Sequence, residues 1–187
     1  MSLKYIYLFV GPSGSGKTTI THELAKRYGY TAIDSYTTRP PRFDGEPGHA
    51  FVTDEEFDNL GEMAAFTEYN GYRYGVPSSA VNESDLYVID PYGILYFTEH
   101  YHGPKKPVIV QIECNSVVRA NRMLERGDTL SDVNTRIKLD NDWFRRGNLY
   151  TPDLVIENGD LDKTVSLLHA VIECWETYGK EEDKLNA

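Results

Sequence analysis

Residues 11–19 read GPSGSGKTT and follow the apolar run KYIYLFV at 4–10. A strand buried on both faces shows such a continuous apolar run rather than alternation. Where it ends in a glycine-rich loop that opens a helix, backbone N–H groups converge on the helix's positive end and form an anion cradle. Gly11, Gly16, Lys17 and Thr18 match the spacing G-x-x-x-x-G-K-[ST]. In that spacing the glycines let the loop curl around a phosphate, with Ser13, Gly14, Ser15 and Thr19 completing its wall. Lys17 places a point charge on the β and γ phosphates, and the Thr18 hydroxyl reaches a magnesium ion. ITHELAKRYG at 20–29 continues as an amphipathic helix, with Gly29 as its stop. The stretch therefore predicts a site for a nucleoside triphosphate with Mg2+.

Working outward, YTAID, LYVID, PVIVQIE and DLVIE read as further buried strands, with helical segments at 91–100, 116–126, 130–147 and 160–178. This alternation predicts an α/β fold, a P-loop three-layer sandwich on a mostly parallel sheet, with ligands at the carboxyl ends of the strands. Residues 35–85 break the rhythm. AAFTEYNGYRYGV alternates around an NG turn, and TDEEFDNL starts a short helix with Thr53 as N-cap and Glu56 as capping-box partner. The expected organisation is a core at 1–34 and 86–187, an acceptor-binding mixed-sheet insertion at 35–85, and a helical lid at about 122–146.

The formal charge of -10, from 29 acids against 19 Lys plus Arg, argues against a nucleic-acid partner, which needs a positive footprint. No apolar run approaches the ~20 residues that span a bilayer, and the start lacks the features of a signal peptide. Two cysteines, Cys114 and Cys174, are too few for a disulfide framework and lie in apolar contexts, so both read as small buried thiols in a cytoplasmic protein. The polar end GKEEDKLNA reads as frayed.

Positive side chains are instead local. SYTTRPPR at 35–42 sets four hydroxyls beside Arg39 and Arg42, a composition suited to a multi-oxygen anion. Arg119, Arg122 and Arg126 share one helical face, Arg136 follows, and Gly127 offers a hinge between them. This concentration suits a lid that brings cations to a moving phosphoryl group. Asp90 ends LYVID at a strand tip, where an acid holds magnesium through water or caps the helix that Pro91 begins.

GPSGSGKTT, SYTTRPPR, HAFVTDEEF, YNGYRYGVP, VIDPYG, RMLERGDTLSDVNTRI and DLVIENGDLDKTV occur in an order and spacing that resembles the guanylate kinase family, over about residues 5–175. The resemblance implies phosphoryl transfer from ATP to a nucleoside monophosphate, GMP first. It implies an acceptor phosphate on Ser35, Arg39, Arg42 and Tyr74, with Asp90 nearby, lid arginines at Arg122, Arg126 and Arg136, and Asn158 near the ATP base. His49 stands where the family carries a tyrosine and still offers a donor. Ala65 and Val76 stand where the family reads guanine, and Val88 where it has an acid. Glu68 lies at an odd offset from Ala65, which turns it to the other face of a strand. Tyr69, Tyr72 and Tyr74 offer ring surfaces or strand packing. Two alternatives stay open: a kinase of this fold acting on a sugar phosphate such as ribose 1,5-bisphosphate, and a non-catalytic binding module.

Overall fold

The structure is a computed structural model that describes residues 3–41, 43–69, 71–145 and 149–179. In chain order its elements are β1 (Tyr5–Val10), α1 (Lys17–Tyr28), β2 (Ala32–Ile33), β3 (Ser35–Thr37), β4 (His49–Phe51), α2 (Asp54–Asp58), β5 (Met63–Tyr69) and β6 (Tyr72–Pro77). There follow α3 (Ser78–Glu83), β7 (Leu86–Val88), α4 (Pro91–His100), β8 (Lys106–Glu113), α5 (Ser116–Glu125), α6 (Leu130–Arg145), β9 (Leu154–Glu157) and α7 (Leu161–Tyr178).

Every residue of β1 is buried, because it is the central strand of a five-stranded parallel sheet ordered β2-β7-β1-β8-β9. Its side chains divide by period two between two cores. Tyr5, Tyr7 and Phe9 pack with Ile20 and Leu24 of α1 and with Val165, Leu168 and Ile172 of α7. Ile6, Leu8 and Val10 face Ile94 and Phe97 of α4 together with Ala64, Ala65 and Val76 of a second sheet. Each fully buried aliphatic or aromatic side chain contributes about 1.5–3 kcal/mol, so both faces hold the strand in place. The loop after β1 is thereby fixed at the sheet's carboxyl edge.

The second sheet is mixed, ordered β4-β3-β6-β5, with β3 parallel to β4 and the other pairs antiparallel. The expected capping box is present: the Thr53 side chain accepts from Glu56 N, and Glu56 accepts from Thr53 N. Gly29 ends α1 in the left-handed region, its N–H on Ala25 O.

Three features depart from expectation. The short helix α3 was not signalled, since its six residues are too few to show a period. The cysteines are not both buried: Cys114 is half-buried and Cys174 exposed. The buried stripe of α7 runs through Thr164, Val165, Leu168 and Ile172 and leaves Cys174 outside it. Residues 146–148, at the expected end of α6, and the polar tail from 180 lie outside the described residues. Among the described residues no helix is long and apolar enough to cross a membrane.

Candidate active site

The loop between β1 and α1 keeps its shape through contacts that only its own sequence permits. Gly11 has φ 154°, and a Cβ there would stand 2.2 Å from Ile112 O. Gly16 has φ 98°, and a Cβ would stand 2.4 Å from Asn158 Nδ2. Larger residues are excluded by conformation and by space. Lys17 Nζ donates to Gly11 O at 2.7 Å and Pro12 O at 3.2 Å, closing the loop on itself. Burial brings its pKa down to about 8, against the opposing attraction of the Asp140 carboxylate. Ser15 is fully buried and its Oγ has no partner.

Beside this loop lies a cavity of about 710 Å³ lined by Gly14, Gly16, Lys17, Thr18 and Thr19, with Arg122, Arg126 and Arg136 on its far wall. The three arginines expected to act together are thus brought together. Arg122 donates to Gly14 O and Ser15 O at 3.4 Å, while Asp128 pairs with Arg126 at 2.5 Å and Arg136 at 3.6 Å. Gly127, between α5 and α6, has φ 97°. Asn158 does not line this cavity. It is 2% exposed beneath the loop and donates to Ser15 O at 2.8 Å, so it braces the loop from behind.

A second cavity of about 270 Å³ opens between the two sheets. Ser35 and His49 are partners in the β3–β4 register, and Ser35 Oγ lies 2.8 Å from His49 Nδ1. Tyr74 sets its ring 5.8 Å from His49. All three line the cavity, as do Asp90 and Val88. Ser13, Lys17, His49 and Arg136 line both cavities, so the two meet at these side chains.

Arg39 differs from expectation. Its guanidinium is paired with Glu46 at 2.9 and 3.1 Å and lies 5.3 Å over the Phe51 ring. Burial opposes its charge, and the Glu46 carboxylate together with Tyr74 outweighs burial and holds its pKa above the ordinary range. It lines neither cavity, because a nearby acid in its own loop reaches it first. Arg42 lies outside the described residues. The expected metal pair is also divided. Asp90 lines the smaller cavity and Thr18 the larger, with Lys17 between them. Asp90 Oδ1 is already committed to capping α4, accepting from Tyr92 N and Gly93 N at 2.9 Å. Burial raises the Asp90 pKa, and those hydrogen bonds oppose the rise.

Ala65 and Val76 face each other across β5 and β6 and are 1% and 0% exposed within the core. Glu68 is exposed and pairs across the register with Arg73, so it turns away as the strand period requires. Sequence reading missed a clamp. Asp140 of α6 accepts from Ser13 N at 3.0 Å, from Ser13 Oγ at 3.3 Å and from Arg119 Nη2 at 2.5 Å. Arg119 Nε in turn donates to Ser13 O at 2.8 Å. Arg119 and Asp140 are each 7% exposed. Arg119 had been visible only as part of an arginine face, and nothing in the sequence linked it to Asp140.

The arrangement is that of a phosphate cradle facing a polar cavity across a shared lysine and arginine, and it agrees with what the chain is similar to. A crystal structure of guanylate kinase from Anaplasma phagocytophilum superimposes with a TM-score of 0.62 at 23% identity, covering 94% of this chain and 88% of that one, which speaks for the fold. The guanylate kinase of Thermotoga maritima is 29% identical over 89% of this chain and 85% of its own length. That of Neisseria gonorrhoeae is 32% identical over 90% and 87%. The guanylate kinase family model matches residues 4–174, and with a match of that extent the chain belongs to the guanylate kinase family.

Proposed function

We propose that the protein transfers the γ-phosphoryl group of ATP to a nucleoside monophosphate, GMP first, yielding ADP and the nucleoside diphosphate. The observation that carries this reading is the junction of the two cavities at Ser13, Lys17, His49 and Arg136. A donor phosphate on one side and an acceptor phosphate on the other both meet the same two cations. The relatives named guanylate kinases do not favour a sugar-phosphate acceptor.

The glycine loop and Lys17 bind the β and γ phosphates, and the Lys17 amine exchanges its two loop carbonyls for phosphate oxygens. Arg122, Arg126 and Arg136 neutralise charge on the transferring group. Ser35, His49 and Tyr74 hold the acceptor phosphate, with Arg39 behind His49 and Tyr74 fixing that wall, and Arg42, which lies outside the described residues, is assigned to binding the same phosphate. A phosphate monoester has its second pKa near 6, so its oxygen is a competent nucleophile at neutral pH and needs no general base. For magnesium the cradle offers the Thr18 hydroxyl, a hard oxygen donor on a residue exposed to the larger cavity, whereas Asp90 lines the smaller cavity with its Oδ1 held by the α4 cap and does not complete a pair with it. When bound, magnesium supplies charge neutralisation between the phosphates. Residues 1–34 and 86–187 act as the nucleotide-binding core, 35–85 as the acceptor unit and about 122–146 as a lid turning at Gly127, within a reducing cytoplasm.

ADP release measured with ATP, magnesium and separate monophosphates tests the reading. Turnover with GMP, abolished in Lys17→Ala, is expected. No ADP with any acceptor, together with no rise in Tm on adding ATP and magnesium, overturns it.

A further inference from the structure

The smaller cavity carries few uncommitted hydrogen-bonding groups. Ser13 Oγ is held by Asp140, Lys17 by two loop carbonyls, and Ser35 by His49. Thr67 differs from these. Its Oγ1 is buried without a hydrogen-bond partner, although it lies near enough to Asp90 to help hold that carboxylate's charge. Thr67 stands opposite Tyr74 in the β5–β6 register, on the same strand face as Tyr69. The cavity therefore runs from the Ser35, His49 and Tyr74 side, through Thr67 and Asp90, to Tyr69.

Beyond Tyr69 the wall is aromatic. The Trp143 ring lies 5.8 Å from Tyr69 at 76° and 5.6 Å from Tyr92 at 81°, edge-on to both. Arg136, Leu139, Asp140, Trp143 and Phe144 all line the cavity, and their spacing puts them on one face of α6. The Asp140 clamp to Ser13 fixes that face relative to the phosphate loop.

We infer that Trp143 and Tyr69 hold the ring of the acceptor and that Thr67, beside Asp90, meets the ring's polar edge. The acceptor is a monophosphate carrying a planar heteroaromatic base, and discrimination among bases rests on those two polar groups. This rests on the kinase reading for the phosphate end of the cavity. The Thr67 hydroxyl, without a partner of its own and beside a carboxylate whose Oδ1 already caps α4, selects for a base that pairs with it, since a base that fails to pair leaves it buried and unsatisfied.

Trp175 stacks on Tyr7 in the other core, so a Trp175→Phe variant leaves Trp143 as the fluorescent reporter of the cavity. Its emission is expected to change on adding GMP, dGMP or AMP and to stay constant with ribose 5-phosphate or inorganic phosphate. Trp143→Ala is expected to raise KM about tenfold for every base, as loss of one ring contact does, with Trp143→Phe recovering most of it. Thr67→Val is expected to reduce the GMP-to-AMP ratio of kcat/KM about tenfold. Turnover with unmoved emission and unchanged KM in Trp143→Ala overturns the inference and leaves the kinase reading standing. A change in emission with monophosphates but no ADP from any of them leaves the ring site standing and overturns the kinase reading. Neither signal overturns both.

Discussion

The two cavities that meet at Lys17 are built in different ways. The larger one is built on one contiguous loop at the start of a helix, where a Cβ on Gly11 or Gly16 would collide with Ile112 O or Asn158, and arginine side chains form its other wall. The smaller one is made of side chains from β3, β4, β5, β6, β7 and α6. A site made of a contiguous loop changes little without loss of binding, whereas a site assembled from side chains on separate elements can change its ligand one residue at a time. The side chains facing the acceptor can therefore differ from those of relatives while the phosphate loop matches its pattern.

Variants that separate the two sides test this contrast. Lys17→Met is expected to lower kcat by about 10³-fold or more, the range that a cation on a transferring phosphoryl group supplies, while Tm with the acceptor alone is retained. If the loss is tenfold or less, the donor side does not depend on this residue as the geometry requires. Asp140→Ala joins the two sides in one defect. It leaves Arg119 buried without its acid and frees Ser13, and breaking such a pair costs about 3 kcal/mol, read in chemical denaturation. KM for ATP and for the monophosphate should rise together. A rise in only one would show that α6 serves that side alone.

Ala65→Glu acts on the acceptor side only. At 1% exposure a carboxylate at this position is driven into the core rather than into the cavity, and burying a charge without a partner is unfavourable. The expected outcome is a lower Tm with no gain in GMP selectivity, and a selectivity gain at unchanged Tm would place residue 65 in the base site.

The smallest effect is pH-dependent and belongs to the donor side. Lys17 has a folded pKa of about 8, below its ordinary 10.5. Between those values the unfolded chain binds more protons, so this group adds stability as pH rises through the window. The same deprotonation removes the phosphate-attracting charge, so kcat/KM for ATP should fall above pH 8 by about tenfold per unit. Asp140 opposes the drop in Lys17's pKa, so Asp140→Asn should move that limb to lower pH, and an unmoved limb would assign it to another group.

What could be read from the chain alone was local. The phosphate loop, the Gly29 stop and the Thr53–Glu56 capping box each lie within a few residues and depend on backbone conformation and immediate neighbours. The strand-and-helix rhythm was legible for the same reason, since a strand buried on both faces is written as one apolar run. Tertiary structure alone decided the partners of distant charges and the contents of the second cavity. Glu46 reaches Arg39 across a loop, Asp140 reaches Ser13 across most of the chain, and Trp143 meets Tyr69 because α6 returns over the second sheet. Periodicity says which face a residue occupies, but not which other face will be laid against it. That choice is made when two cores close around one central strand.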